Sequence, residues 1–149
     1  MNSSLQELQD AIVERLKEHE ELKVYTLLAM HPINCSYILD TLIKSQNGLA
    51  IVVDPPLPLK VRGDCPGPIF EILRVCIRIV HKIFTAGLTM SPICVAEEVS
   101  RHLHFWSPVI NSWNTTLKLS PNNPWVFSNA FPKSKTNVLE MEFQITAHL

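Results

Sequence analysis

The sequence predicts an α+β domain in which a mostly antiparallel sheet carries helices on one face. Two stretches, 69–82 and 139–148, alternate apolar and polar residues, which is typical of strands with one buried face. Helix-capping signals occur before and between them, and the links are short. Because 46% of the 149 residues are hydrophobic, we expect a single domain spanning 1–149 with a core of its own.

Capping residues predict three helices. Ser4 and Glu7 have the S-x-x-E spacing of a capping box, and apolar residues follow at helical spacing. Asn34 can cap a second helix, and Ser91 with Pro92 supplies an N-cap and a first helical residue for the third. The expected helices are 4–19, 34–46 and a third from Ser91 to about Ser107-Pro108.

The other apolar runs predict strands. Residues 49–53 are rich in β-branched side chains and lie between Gly48 and Asp54-Pro55-Pro56, so they form a buried strand. The further expected elements are a strand or extended link at 24–30, long strands at 69–82 and 139–148, and two short strands, 115–119 and 125–128, joined as a hairpin through residues 121–124. We detect no internal repeat.

The two long strands present opposite charges on their polar faces. Arg74 and Arg78 alternate with apolar residues in the first strand, and Glu140 and Glu142 do so in the last. If the strands are neighbours, the arginines face the glutamates as cross-strand pairs, each contributing about 0.2–1 kcal/mol.

Residues 55–68, PPLPLKVRGDCPGP, contain five prolines. Proline lacks a backbone N–H and fixes φ, which excludes the interior of a sheet. We therefore expect an extended, partly stiff loop or hairpin arm, whose charged side chains are Lys60, Arg62 and Asp64.

Composition and motifs argue against several kinds of chemistry. With 13 Lys and Arg against 14 Asp and Glu, the chain lacks the basic excess of a nucleic-acid binder. It has four glycines and no phosphate-binding or common hydrolase motif. His31 and Cys35 have i, i+4 spacing, but Pro32 places His31 before the helix. We expect no catalytic residue, cofactor or metal.

The sequence also predicts no membrane span, because charged residues interrupt its most apolar stretch. The N-terminus, MNSSLQELQD, lacks the basic and apolar regions of an export signal. We therefore expect a cytoplasmic protein whose four cysteines are free thiols.

What remains are features suited to assembly. Aromatic residues occur at Phe105, Trp106, Trp113 and Trp125, and the proline-rich arm carries cations. Aromatic and arginine side chains are concentrated at protein interfaces. The sequence therefore favours an interaction surface over a catalytic site.

In order and spacing, these features resemble the tail terminator (tail completion, minor tail protein) family of long-tailed bacteriophages and prophages. The resemblance spans most of the chain. It is carried by the amphipathic first helix, GLAIVV (48–53) leading into the proline-rich arm, EILRVCIRIV (71–80), AEEVSRHLHFWSP (96–108) and VLEMEFQITAHL (138–149).

The resemblance implies a structural protein with a tail-terminator-like α+β fold. Such a protein would self-associate into a hexameric ring that caps the tail tube, ends its polymerisation and meets the head-tail connector protein. The implied partners are further copies, the major tail tube protein and the connector. DNA would be met only as it passes through the ring lumen. The protein would be cytoplasmic during assembly and lie in the virion tail afterwards.

The contact elements implied by the resemblance are the arm at 55–68 and the loop at 83–91. The candidate interface residues are Lys60, Arg62, Asp64, Arg74, Arg78, Phe105 and Trp106. Four of these, Lys60, Arg62, Arg74 and Arg78, would form a basic inner surface of the ring. An alternative is a small cytoplasmic α+β enzyme or ligand-binding domain whose pocket leaves no linear motif.

Overall fold

A computed structural model describes residues 4–29, 49–63, 69–82, 91–122, 124–131 and 136–148. The predicted helix at 34–46, residues 83–90 of the predicted contact loop, and Asp64 lie outside these ranges. Helix α1 spans Ser4–Lys17 and helix α2 spans Pro92–Leu103. The strands are β1 (Thr26–Ala29), β2 (Leu49–Val53), β3 (Leu57–Val61), β4 (Phe70–Lys82), β5 (Val109–Ile110), β6 (Trp113–Leu119), β7 (Trp125–Phe131) and β8 (Thr136–His148).

Two long antiparallel strands, β4 and β8, form the centre of the sheet. They pair from Ile72 opposite Thr146 to Lys82 opposite Thr136. The strand order is β1-β2-β4-β8-β6-β5, with β3 also on β4 and β7 also on β8. Among the described pairings only that of β1 with β2 is parallel. The predicted α+β class with a mostly antiparallel sheet is confirmed.

Each central strand carries a broken strand along its outer edge. β2 lies beside the C-terminal half of β4 and β3 beside its N-terminal half. β6 and β7 lie along β8 in the same way. The breaks begin at Asp54, whose N–H donates to the Cys76 carbonyl at 3.0 Å, and at Ser120, whose N–H donates to the Glu142 carbonyl at 2.9 Å.

The segment β2-β3-β4 therefore repeats the arrangement of β6-β7-β8. Each consists of a strand, a proline-containing break, a second strand and a 13-residue strand that pairs with both. The repeat escapes the sequence because it lies in the backbone pairing, while the breaks differ in length and composition, DPP against SPNNP.

The main core lies between the two helices and one face of the sheet. Gln9 of α1 is 1% exposed there, and its Nε2 donates to the Val53 carbonyl at 2.8 Å, which satisfies a buried polar group at the end of β2. The predicted inward residues are all buried: Leu73, Val75, Ile77 and Ile79 of β4, and Leu139, Met141, Phe143, Ile145 and Ala147 of β8. On the opposite face Ala50, Val52, Val80 and Val138 form a second, smaller buried cluster.

The hairpin predicted between 115–119 and 125–128 is wrong. Both segments are strands, but β6 and β7 pair with β8 and not with each other. The tight hairpin joins β5 and β6 through Asn111 and Ser112, whose φ angles are 48° and 67°. Two consecutive residues with positive φ are typical of a type I′ turn.

Two helix ends differ from the predictions. α1 ends at Lys17 rather than 19. The next two residues form a 3₁₀-type turn, in which each N–H donates to the carbonyl three residues earlier, as the His19 N–H does to the Leu16 carbonyl at 3.2 Å. α2 has the predicted N-cap at Ser91, but it ends at Leu103 rather than near 107–108. Phe105 takes a φ of 63°, which turns the chain out of the helix.

Candidate assembly surface

The proline-rich arm is a hairpin formed by β3 and the start of β4, as one of the two predicted alternatives stated. At its outer end the Arg62 N–H donates to the Ile69 carbonyl at 2.8 Å. The Arg62 guanidinium donates to the Ala147 carbonyl at 3.1 Å, which ties the arm to the end of β8. Lys60 Nζ lies 3.4 Å from a carboxylate oxygen of Glu71.

The arm exposes apolar side chains. Leu57, Leu59 and Val61 of β3 are 51%, 50% and 60% exposed, and Ile69 is 70% exposed. Within the described part of the chain β3 pairs only with β4, so its outer edge is open. An edge position is the place in a sheet where Pro58 is tolerated, and the alternation of Leu57, Leu59 and Val61 is typical of a strand.

A second open edge lies on β7. In the described ranges this strand pairs only with β8, and it exposes Val126 and Phe127. The other outermost described strands, β1 and β5, also have one described neighbour each, but β1 contributes none of the exposed large apolar side chains and β5 contributes Val109. β1 pairs with β2, and the segment after α2 lies along β6, where the Phe105 N–H donates to the Leu117 carbonyl at 2.7 Å and the Leu117 N–H donates to the Trp106 carbonyl at 2.9 Å.

The polar face of the sheet carries Arg74 and Arg78 in ion pairs, which confirms the predicted cross-strand pairing. Arg78 Nε lies 2.9 Å from Asp54 Oδ2 and 3.4 Å from Glu140 Oε1. Arg74 Nη1 lies 3.4 Å from Glu142 Oε1. Since described acidic side chains pair with both arginines, the described part of this face is not a strip of positive charge.

Burial shifts the pKa of two groups on this face. It raises the pKa of the Asp54 carboxyl, against the opposing effect of the Arg78 guanidinium. It also raises the pKa of the Cys76 thiol, which keeps that thiol protonated and weakly nucleophilic. Cys76 and Cys94 are free, as predicted, and the other two cysteines lie outside the described residues.

The aromatic residues singled out in the sequence separate in the structure. Phe105 is 64% exposed, whereas Trp106 and Trp125 pack partly against the main core. The Arg15 guanidinium lies 5.5 Å from the Trp106 ring centroid. Trp113 lines a cavity of about 230 Å³ at one end of the sheet. Only Phe105 of the four is presented as an exposed aromatic side chain.

A group of titratable residues not predicted from the sequence links α2 to the turn after α1. His19 Nε2 lies 3.0 Å from Glu98 Oε2, and the Glu21 carboxylate is close to both. The Glu21 N–H donates to His19 Nδ1 at 3.1 Å, so Nε2 carries the proton of the neutral ring and donates to Glu98. A metal ion on Nε2 would have to displace that proton, and we therefore interpret the group as a helix-to-turn link.

His102 packs edge-on against the His19 ring, with 5.2 Å between ring centroids. Burial, followed by the charge of Arg15, lowers the pKa of His102. These histidines therefore belong to the packing between the two helices.

The predicted interface residues thus lie in three places. Lys60 and Arg62 lie on the arm, Arg74 and Arg78 lie on the polar face, and Phe105 and Trp106 follow α2. The structure adds five residues on the open edges, which are Leu57, Leu59, Val61, Val126 and Phe127.

None of the described helices has the length and apolar content needed to span a membrane. No protein-family model matches the sequence, and the curated proteins include no match to it.

Proposed function

We propose that this chain is a structural protein of a bacteriophage or prophage tail, a tail terminator that acts by assembling into a ring on the tail tube. The observation that carries the proposal is the pair of open sheet edges, β3 and β7, with their exposed apolar side chains. Soluble monomers seldom leave such edges uncovered, because unpaired strand groups and apolar side chains invite pairing with another chain.

The arm supports the same proposal. It is braced at its outer end by the bond from Arg62 to the Ala147 carbonyl, and Lys60 is paired with Glu71 along its length. Apolar side chains at Leu57, Leu59 and Val61 are therefore held outward by a supported strand. Preordering of a contact element lowers the entropy lost on association.

The alternative, a ligand-binding domain or enzyme, draws less support from the cavities. None of the residues known to line the 230 Å³ cavity is titratable. A groove of about 460 Å³ on the polar face contains Arg74, Arg78, Glu140 and Glu142, but these charges pair with one another. Among the described lining residues, neither cavity presents an uncompensated charged group for a substrate.

The proposal is tested by polymerising the major tail tube protein of the same phage with and without this protein. Electron microscopy of the products gives tube lengths and the occupancy of tube ends. We expect shorter tubes with a ring at one end when the protein is present. Tubes of unchanged length with bare ends, at protein concentrations above that of tube ends, would contradict the proposal.

A further inference from the structure

The two open edges lie on opposite sides of the sheet and at opposite ends of it. Lys60 of β3 lies beside Ile72 of β4. Phe127 of β7 lies beside Leu139, which itself pairs with Ile79 of β4. The two edges are thus offset by seven residues along β4, or about 23 Å at 3.3 Å per residue.

Exposed apolar side chains are concentrated on these edges. Of ten large apolar side chains that are exposed in the described ranges, five belong to β3 and β7. Each of these two strands has one described neighbour, β4 for β3 and β8 for β7. The strands β1 and β5 also have one described neighbour each, but they contribute none and one of these exposed side chains. Hydrogen-bonding capacity and apolar side chains therefore coincide at both edges.

We propose that β3 of one copy pairs with β7 of the next copy, extending the sheet from chain to chain. The strand directions fit this pairing. β3 and β8 both run antiparallel to β4, and β7 runs antiparallel to β8. Two copies placed side by side with their helices on the same side of the sheet therefore bring β3 and β7 together as an antiparallel pair.

This contact uses two different surfaces of the chain, so it is heterologous and propagates from copy to copy. A heterologous contact closes into a ring or continues as a helical filament, depending on the rotation between copies. The inference thus rests on the proposed function and names its first partner, a second copy of this chain. The offset between the edges staggers each copy along the strand direction, as strands are staggered in a closed barrel.

The composition of β3 restricts which strand can pair with it. Pro58 withholds one backbone donor, and Lys60 adds a charge, and both features oppose indiscriminate edge pairing. A partner strand must therefore place apolar side chains against the exposed Leu59 and Val61. β7 can do so with Val126 and Phe127, which are also exposed. Pairing of β3 with β3 would leave the β7 edge of each copy open.

Cysteine cross-linking distinguishes these arrangements. Leu59→Cys and Phe127→Cys proteins are prepared separately, oxidised alone and as an equimolar mixture, and mapped by mass spectrometry, which separates the introduced cysteines from the native ones. We expect a disulfide between positions 59 and 127 in the mixture and no 59–59 or 127–127 disulfide in either protein alone. Predominant 59–59 or 127–127 disulfides would overturn the inference in favour of a two-fold contact.

A second measurement uses charge at the edge. Leu59→Lys places a cation on β3, and Ile93→Lys is a matched control on α2, because Leu59 and Ile93 are 50% and 49% exposed. We expect Leu59→Lys to raise the concentration at which chains associate at least tenfold, with Ile93→Lys unchanged and both variants folded by circular dichroism. Wild-type association by Leu59→Lys would overturn the inference, and if that variant is unfolded the cross-link decides.

The two proposals fail in different ways. If the wild-type protein forms rings or ends tubes but yields no 59–127 disulfide, the edge pairing is wrong and the tail function stands. If tube protein rather than a second copy is cross-linked to position 59, the edge serves the tube contact and the inference is overturned. If the wild-type protein neither associates nor acts on tubes, both proposals fail.

Discussion

Cys76 and Glu142 lie directly opposite each other in the middle of the two central strands, and both edge strands break beside this pair. The Cys76 carbonyl accepts the N–H of Asp54 at 3.0 Å. The Glu142 carbonyl accepts the N–H of Ser120 at 2.9 Å, and its N–H donates to the Pro124 carbonyl at 3.0 Å. This cross-strand pair therefore marks the point at which β2 gives way to β3 along β4 and β6 gives way to β7 along β8. It divides the sheet into two halves.

The two halves leave different edges open. In one half the outermost described strands are β1 and β7, and in the other half they are β3 and β5. Of these four strands, β3 and β7 expose more than one large apolar side chain each, and they lie on opposite sides of the sheet. This is the structural basis of both proposals above.

The Arg78–Asp54 pair is expected to be energetically stronger than the Arg74–Glu142 pair. Asp54 is 14% exposed and lies 2.9 Å from Arg78, whereas Arg74 and Glu142 are 40% and 29% exposed and 3.4 Å apart. Double-mutant cycles with Arg→Met and Asp→Asn or Glu→Gln should give a coupling of about 1–2 kcal/mol for the first pair and about 0.2–1 kcal/mol for the second. Equal couplings would show that burial does not strengthen the Asp54 pair.

Asp54 is expected to make the protein relatively more stable in acid. Burial raises its pKa in the folded state above the ordinary value of 3.8, so the folded state binds more protons than the unfolded state between these two values. The resulting stabilisation is complete below the unfolded pKa and is lost as pH rises through the folded pKa. The free energy of unfolding of wild type minus that of Asp54→Asn, measured in urea, should therefore fall as pH rises from about 4 to 7. A difference that grows with pH would contradict this sign.

At position 105 a glycine variant is expected to be more stable than an alanine variant. Its φ of 63° lies in the left-handed region, where a Cβ atom costs about 1 kcal/mol. Phe105→Gly should be more stable than Phe105→Ala by about that amount in thermal or urea unfolding. At exposed Glu97, inside helix α2, the order should reverse, with alanine more stable than glycine by about 1 kcal/mol. The same order at both positions would argue against the left-handed turn after α2.

Alanine substitutions of a core phenylalanine and of an edge phenylalanine should have different effects, the first on the free energy of unfolding and the second on association. Phe143 is fully buried and Phe127 is 62% exposed. Phe143→Ala should lower the free energy of unfolding by about 3–5 kcal/mol, and Phe127→Ala should change it by less than about 0.5 kcal/mol while weakening association. If Phe127→Ala destabilised the monomer as much as Phe143→Ala, the β7 edge would be part of the core.

Alternation and capping predicted much of the fold. The strands at 69–82 and 139–148 were predicted with the correct inward faces, because one side of each packs against helices and the other meets water and paired charges. Ser91 capped its helix as predicted, since its hydroxyl accepts the Cys94 N–H. The pairing of arginines with glutamates also followed from the pattern, although only the structure shows that Arg78 takes Asp54 and Glu140 as partners.

The remaining features depend on contacts that are distant in sequence. The sequence predicted that β6 and β7 pair as a hairpin because they flank turn residues. Both instead pair with the 13-residue strand β8. The helix predicted to continue past Leu103 ends because Phe105 and Trp106 bond to Leu117 of β6. The prolines of 55–68 already excluded the interior of a sheet for β3, but nothing in the sequence of β7 indicated an edge, since whether a strand has one neighbour or two is a property of the assembled sheet.

The central claim, that this chain acts by self-association, is tested most directly by its mass in solution. Light scattering coupled to chromatography should be run from dilute to concentrated protein and with tail tubes added. A mass that rises above the 16.9 kDa of one chain toward a closed ring, alone or on tubes, is the predicted result. A mass of one chain at every concentration, with no binding to tubes, would contradict the account.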